Sequence, residues 1–148
     1  MRKRDSRAAL AHLLENRIAI LDGAMATQIQ TLGLGEAEYL GEQFRSQDRP
    51  LMGNYELLSI TQPDRIRSIH REYLEAGADI ITTNTFGANI VSMDTYGLAD
   101  QVYALNFAAA ALASSVRDQR EQVSADWPRF VAGAVSAPDS GVKAYTEQ

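Results

Sequence analysis

Residues 61–86 read TQPDRIRSIHREYLEAGADIITTNTF, and this stretch predicts an α-helix that is followed at once by a buried strand. Thr61 is the expected N-cap of the helix, and Pro63 is tolerated in its first turn. Apolar side chains then recur at helical spacing at Ile66, Ile69, Tyr73 and Leu74. Gly77 predicts the end of the helix because glycine adopts a left-handed conformation without a Cβ clash, and residues 79–84 follow as the strand. A helix, a glycine and a strand in immediate succession are typical of a βαβ unit.

The sequence on either side continues this alternation of strands and helices. Upstream, residues 18–21 form an apolar run of strand length that ends at the turn signal Asp22-Gly23. Downstream, residues 99–121 predict a second helix and residues 130–135 predict a third strand. The apolar stripe of that helix comprises Leu98, Val102, Leu105, Ala109, Leu112 and Val116. The order β, α, β, α, β predicts parallel strands with right-handed crossovers.

Three further segments lie upstream of the best-defined helix. Residues 6–15 predict an amphipathic helix, so we expect an N-terminal helix within residues 1–17 and one domain over residues 18–148. Residues 24–32 have a weakly helical pattern. Residues 33–53 contain charges and glycines without a clear period, and a connection of this length indicates a functional or mobile loop.

Composition limits both the fold and the function. The chain has 148 residues, about one domain, and a formal net charge of -5. The negative charge argues against a surface that binds duplex nucleic acid, and no run of about 18 apolar residues supports a membrane span. Because the chain contains no cysteine, it has no disulfide, no cysteine nucleophile and no thiolate metal ligand. We expect a cytoplasmic α/β protein, built either as an open doubly wound sheet or as a (β/α)8 barrel.

Polar side chains are concentrated where the three predicted strands end, which is where both architectures place functional groups. These strand ends are residues 22–27, 83–86 and 136–139. Asp22 can accept hydrogen bonds from the ammonium group of an amino acid, while Asn84 and Thr85 can bind its other polar groups. Each of these candidate residues also has an alternative interpretation, in which its role is structural and not ligand binding. Asp22 with Gly23 is typical of a turn, Asn84 and Thr85 can satisfy loop backbone groups, and Asp139 can be solvated.

Other functional motifs are absent or weak. The sequence has no Gly-x-Gly-x-x-Gly pattern and no Walker loop, so a nucleotide site has no support. His12 and His70 fall on predicted helices, and we expect surface or helix-flank positions for them rather than metal ligation. Trp127 is expected to be a packing anchor before the third strand. No nucleophile and base pair supports an independent enzyme built on Asp22 and Asn84.

Eight short blocks of the chain occur in the order found in a known protein family. They are residues 20–27 (ILDGAMAT), 53–58 (GNYELL), 61–64 (TQPD), 70–78 (HREYLEAGA), 79–86 (DIITTNTF), 88–89 (AN), 96–97 (YG) and 105–106 (LN). Across residues 18–135 the chain thereby resembles the homocysteine S-methyltransferase domain. Within that family it is most similar to the N-terminal region of the cobalamin-dependent methionine synthases.

The resemblance implies a (β/α)8 barrel that binds homocysteine at the C-terminal ends of its strands. It implies methyl transfer to the homocysteine sulfur to give methionine, with zinc held by cysteines and methylcobalamin carried by separate domains. It also implies a set of substrate-binding residues, namely Asp22, Gly23, Thr27, Asn84, Thr85 and Asn89. The corresponding role is amino-acid biosynthesis in the cytoplasm.

The sequence departs from the family in features that bear on activity. The family's zinc ligands are cysteines on later strands, and this chain has none. A barrel typically takes about 250 residues, whereas only three strands are predicted here. We therefore expect a truncated N-terminal part of the barrel, inactive by itself and without bound zinc or cobalamin. Ala26 and Thr82 also stand where the family is expected to have Gly and Glu.

The alternative is a small non-catalytic α/β module that keeps part of the barrel scaffold and either binds an amino acid or assembles. Three parallel strands leave two sheet edges unpaired, and this favours self-association through those edges. The expected partners are therefore homocysteine as a small-molecule substrate and a second copy of the chain, with no nucleic acid and no membrane.

Overall fold

Helices alternate with short parallel strands in the computed structural model, which describes residues 5–123 and 127–136. In chain order the elements are α1 (Ser6–Asn16), α2 (Met25–Thr31), α3 (Glu36–Leu40), α4 (Leu58–Thr61), α5 (Pro63–Glu75), β1 (Ile80–Thr82), α6 (Ile90–Asp94), α7 (Val102–Val123) and β2 (Phe130–Ala132). Two short 3-10 turns, Tyr55–Leu57 and Ala99–Gln101, precede α4 and α7. The predicted site residue Asp139 lies outside the described residues.

The sheet is parallel, as the sequence predicts, but smaller than expected. β1 pairs with β2 in the register Ile80↔Phe130, Ile81↔Val131 and Thr82↔Ala132. On the other side of β1, Leu21 forms a single parallel bridge with Ile80. The segment around Leu21, β1 and β2 therefore lie side by side in chain order.

The predicted first strand at residues 18–21 is wrong in extent, because only Leu21 pairs within it. Its apolar side chains were expected to be buried on both faces, yet Ile18 is 87% exposed and Ile20 is 54% exposed. A single bridge joins this stretch to β1, and no described strand pairs with it on its other side, so it does not extend into a full strand. The predicted strands over residues 79–84 and 130–135 are likewise reduced to three residues each.

The helix α5 matches the sequence prediction except at its start. Gln62 is the N-cap residue and makes no side-chain capping bond. The predicted N-cap Thr61 instead ends the preceding helix α4, where its hydroxyl donates to the carbonyl of Leu57 at 3.4 Å. At the other end, Gly77 has a φ of +109°, which confirms the left-handed stop.

The core forms where α4, α5 and α7 pack on one another and on the strands. The predicted stripe of α7 is largely buried, with Leu105, Ala109, Leu112 and Val116 all pointing inward. Ile66, Ile69 and Leu74 contribute the buried face of α5, and Ile81 is the fully buried centre of β1. Within the described ranges, no helix is long and apolar enough to cross a membrane.

The segment over residues 33–53 is more ordered than its sequence pattern indicates. It contains α3, and the side chains of Tyr39 and Leu51 are buried in the core. The carboxylate of Glu36 accepts hydrogen bonds from the backbone N–H groups of Leu51 at 2.7 Å and Met52 at 2.8 Å. These bonds fold the segment back on itself, and they join residues too far apart for a local periodicity to detect.

The prediction for His70 is wrong. Its side chain is fully buried on α5, and neither ring nitrogen has a hydrogen-bond partner in the described part of the chain. Burial lowers the pKa of His70 to about 4, because the charged imidazolium cannot be solvated there. His12 lies on α1 and is exposed, as predicted.

A buried carboxylate ties together the N-terminal ends of the strand segments. Asp79 accepts hydrogen bonds from Arg17 Nη1 at 2.6 Å, Trp127 Nε1 at 2.7 Å and the backbone N–H of Ile20 at 2.9 Å. The guanidinium of Arg129 stacks over the Trp127 ring with a carbon-to-centroid distance of 4.1 Å. Trp127 was predicted to be a packing anchor, but it is 44% exposed and is held before β2 by its hydrogen bond to Asp79 and by the stacked Arg129 guanidinium.

Candidate functional site

The candidate site lies at the end of the sheet opposite to Asp79. Here the chain leaves Leu21, β1 and β2, and three polar segments follow those strand ends. Ser136 N–H donates to the carbonyl of Phe86 at 3.2 Å, which joins the loop after β2 to the loop after β1. The parallel pairing predicted this meeting of strand ends, since parallel strands bring their carboxyl ends to one edge.

Asp22 is the best-positioned ionisable group at this edge. Its Oδ2 accepts from the backbone N–H of Thr82 at 2.8 Å, and its Oδ1 accepts from the Thr82 hydroxyl at 3.0 Å. Burial raises the pKa of Asp22, while the two hydrogen bonds from Thr82 oppose that rise. A carboxylate has about four lone-pair sites, so two engaged sites leave acceptor capacity for an ammonium group.

Gly23 lies against the helix α5. A Cβ built on Gly23 would come within 3.0 Å of the Tyr73 hydroxyl oxygen, so a larger residue would push this side chain away. The same hydroxyl donates to the carbonyl of Ala24 at 3.4 Å. Glycine at this position therefore leaves room for the Tyr73 side chain beside the loop after the first strand segment.

Asn84 and Thr85 are both buried and hold loop segments. Asn84 Nδ2 donates to the carbonyl of Tyr55 at 2.7 Å and to the Ser59 hydroxyl oxygen at 3.3 Å. The Thr85 hydroxyl donates to the carbonyl of Ala134 at 2.8 Å. These contacts correspond to the structural alternative that the sequence left open for both residues, namely the satisfaction of loop backbone groups.

Asn89 lies further along the same loop and caps α6. Its Oδ1 accepts from the backbone N–H of Ser92 at 2.9 Å, and its Nδ2 donates to the Ser136 hydroxyl oxygen at 3.2 Å. A small cavity of about 70 Å3 lies beside it and is lined in part by Thr85, Asn89, Asn106 and Ser136. Asn89 therefore joins the loops after β1 and β2.

Thr27 does not join this cluster. It is exposed on α2, and no hydrogen bond links it to another candidate residue within residues 5–123 and 127–136. The structure thus brings Asp22 into contact with β1 and links Thr85 and Asn89 to the loop after β2.

Two residues that contribute to this edge, Glu56 and Thr82, were not predicted as site residues from the sequence. Glu56 Oε1 accepts from the backbone N–H of Gly87 at 2.7 Å and so fixes the loop that contains Asn84 and Thr85. Thr82 was noted only as a departure from a family pattern, although it is the partner of Asp22. Glu56 belongs to one of the blocks quoted above, but its long-range contact leaves no local pattern.

The residues present do not fit the zinc site that the resemblance implies. The chain contains no cysteine, and the described residues include no group of three or more His, Cys, Asp or Glu side chains placed to hold a metal ion. The polar groups at this edge are a carboxylate, hydroxyls and amides that are tied to the backbone. They suit the binding of an ammonium group rather than the activation of a thiol.

Comparison with known proteins shows the family to which this chain belongs. The sequence profile of the family described as homocysteine S-methyltransferase matches residues 19–144. The fold is similar to the crystal structure of the Escherichia coli homocysteine methyltransferase MmuM in its oxidised form, with 27% identity, a TM-score of 0.67 and coverage of 94% of this chain. For the metallated form of the same enzyme, the identity is 27%, the TM-score 0.65 and the coverage 91%. The chain spans 43% of the length of each of these relatives.

Proposed function

The chain belongs to the homocysteine S-methyltransferase family, and from this premise we propose that it is the homocysteine-binding portion of a methyltransferase similar to methionine synthase. The complete reaction transfers a methyl group to the homocysteine sulfur and yields methionine. The segment around Leu21, β1 and β2 then corresponds to the first three strands of a (β/α)8 barrel. Their side-by-side order supports this assignment, as does the packing of α5 on β1 and of α7 on β2.

The observation that carries the proposal is the Asp22 carboxylate, held at a strand end inside the segment that matches the family. The ammonium group of homocysteine donates to Asp22. Gly23 shapes the loop after this segment, while Asn84, Thr85 and Asn89 fix the loop that faces the rest of the amino acid. In this arrangement Asp22 makes the charged contact and these four residues shape the pocket around it, whereas Thr27 is exposed on α2 outside the cluster.

The chain by itself binds the substrate without activating its sulfur. A free thiol has a pKa of about 8.5 and is mostly protonated at neutral pH. Activation requires a metal or a base beside the sulfur, and the described residues include no group of three or more His, Cys, Asp or Glu side chains placed to hold a metal ion. We assign no zinc or cobalamin site to this chain.

A second candidate function is assembly through the sheet edges, as in a non-catalytic α/β module. Ile18 is 87% exposed beside Leu21, and Val135 is 86% exposed beyond β2. Unpaired strand edges with apolar side chains favour pairing with another chain. Sedimentation velocity distinguishes the two functions, because an assembly module forms a discrete dimer and a simple binding portion remains a monomer.

Isothermal titration calorimetry with L-homocysteine tests the first proposal. We expect binding in a buffer that contains a chelator, and a decrease in affinity of about 10-fold or more for Asp22→Asn, because the charge-assisted bond to the ammonium is lost. The matched control is Asp64→Asn, since Asp64 is an exposed carboxylate at the start of α5. Equal affinity in wild type and Asp22→Asn, or no heat from folded wild type, would contradict the proposal.

A further inference from the structure

Thr82 supplies both hydrogen bonds that the described structure gives to the Asp22 carboxylate. One comes from the backbone N–H at 2.8 Å and the other from the side-chain hydroxyl at 3.0 Å. They reach different oxygens of the same carboxylate, so together they fix its plane as well as its position. The backbone bond is available to almost any residue at this position, whereas the second bond requires a hydroxyl.

We propose that Thr82 is a positioning residue for substrate binding, whose hydroxyl fixes the plane of the Asp22 carboxylate for the ammonium group of the amino acid. This inference rests on the proposed function. Thr82 is the last residue of β1, so its backbone is held by the pairing with Ala132 on one side. Asp22 in turn donates its backbone N–H to the carbonyl of Ile80 at 2.9 Å. The backbones of both partners are therefore hydrogen-bonded to neighbouring strand residues.

The environment of Asp22 explains why the Thr82 hydroxyl is important for the charged form of the carboxylate. The carboxylate is half-buried, and this burial disfavours its charged form. The neighbouring titratable group is Tyr73, whose hydroxyl lies near Gly23 and donates to Ala24. No described cationic side chain forms an ion pair with Asp22. Within the described structure, the Thr82 hydroxyl is thus the side-chain donor that stabilises the ionised carboxylate.

Thr82→Val tests the inference, because valine keeps the shape of the side chain and removes the hydroxyl. We expect the pKa of Asp22, measured from its carboxyl-carbon NMR signal, to rise by about one unit in Thr82→Val. We expect the affinity for L-homocysteine to fall about 5-fold, and the midpoint of its pH dependence to move upward with the pKa of Asp22. Thr82→Ser restores the hydroxyl and should return both values to those of wild type.

The NMR titration needs no ligand, so it separates this inference from the proposed function. An unchanged pKa of Asp22 in folded Thr82→Val, or a failure of Thr82→Ser to restore it, would overturn the positioning role. If the pKa of Asp22 rises in Thr82→Val but wild type does not bind homocysteine, the contact between Thr82 and Asp22 is upheld and the proposed ligand is wrong.

Wild type alone provides a further check if Thr82→Val does not fold. The β-carbon signal of Thr82, the carbon that carries the hydroxyl, should titrate with the same midpoint as the Asp22 carboxyl carbon, because the hydroxyl donates to that carboxylate. A β-carbon signal that does not respond to the ionisation of Asp22 would overturn the inference.

Discussion

His70 shows how burial determines the protonation state of a single residue. His70 follows Ile69 on α5 and lies inside the core, with both ring nitrogens lacking a described hydrogen-bond partner. The helical spacing of its apolar neighbours places position 70 beside the buried stripe, but the absence of a second metal ligand near it in the sequence led us to expect a surface or helix-flank position. Because burial lowers the pKa of His70 to about 4, the folded state holds the neutral imidazole.

This lowered pKa predicts a loss of stability in acid. An unfolded chain binds a proton at His70 near pH 6.5, whereas the folded chain does so only near pH 4, so the free energy of unfolding falls as the pH decreases through this window. The full effect is about 3 kcal/mol. His70→Leu should remove this part of the pH dependence and stabilise the protein at pH values below about 6.

Urea denaturation of wild type and His70→Leu over this pH range measures the effect. His12→Leu is the matched control, because His12 is exposed on α1 and its substitution should leave the slope unchanged. Parallel stability curves for wild type and His70→Leu would contradict the assignment of a buried neutral imidazole.

At the scale of elements, Asp79 joins three segments that are far apart in the chain. It connects Arg17 at the end of α1, the start of β1, and Trp127 before β2. The Arg17 guanidinium holds the pKa of Asp79 well below its usual range, with the bonds from Ile20 and Trp127 acting in the same direction. Its stabilising effect is therefore present above about pH 4 and is lost only as the pH falls toward the pKa of the folded state.

Asp79→Asn should destabilise the protein by about 3 kcal/mol at neutral pH, because it removes the counter-charge of the buried Arg129 guanidinium, whose Nη1 lies 3.4 Å from the Asp79 carboxylate. Urea denaturation measures this loss. Asp118→Asn is the control, since Asp118 is exposed and paired with its neighbour Arg117. An exposed pair of this kind contributes about 0–1 kcal/mol. Equal effects of the two substitutions would show that Asp79 does not join these segments.

The longer helices α1, α5 and α7 could be predicted because their signals are local, whereas the short helices α3, α4 and α6 were not predicted. In α5 the proline, the apolar spacing and Gly77 all occur within one stretch, and the structure reproduces them. The start of α5 differs because residues 58–61 already form α4, so Thr61 is not free to cap the next helix. The strands are shorter than predicted because strand length depends on a neighbour, and no described segment flanks Leu21 on its outer side.

At the scale of the whole molecule, the strand-end rule predicted which polar segments meet at one edge of the sheet, but it did not assign their contacts. Asp22 lies at the predicted edge, and its partner Thr82 is supplied by the adjacent strand. Asn84 and Thr85 hold loops, and Thr27 is exposed. The sequence could not show these differences, because hydrogen bonds between residues far apart in the chain decide which polar groups remain available.

The two ends of the sheet carry different groups of polar residues. One end holds Asp79 with Arg17 and Trp127, which secure the strand segments. The other end holds Asp22 and Thr82, which provide an acceptor for a cationic ligand. The central claim is that L-homocysteine binds at the second end and not at the first.

Amide nitrogen–proton NMR spectra recorded during titration with L-homocysteine test this claim most directly. We predict that the signals that move are those of residues 22–27 and 82–89. The indole N–H signal of Trp127, at the opposite end of the sheet, serves as the internal control and should stay in place. Movement centred on Trp127, or a spectrum of the folded chain that does not change at all, would contradict the account.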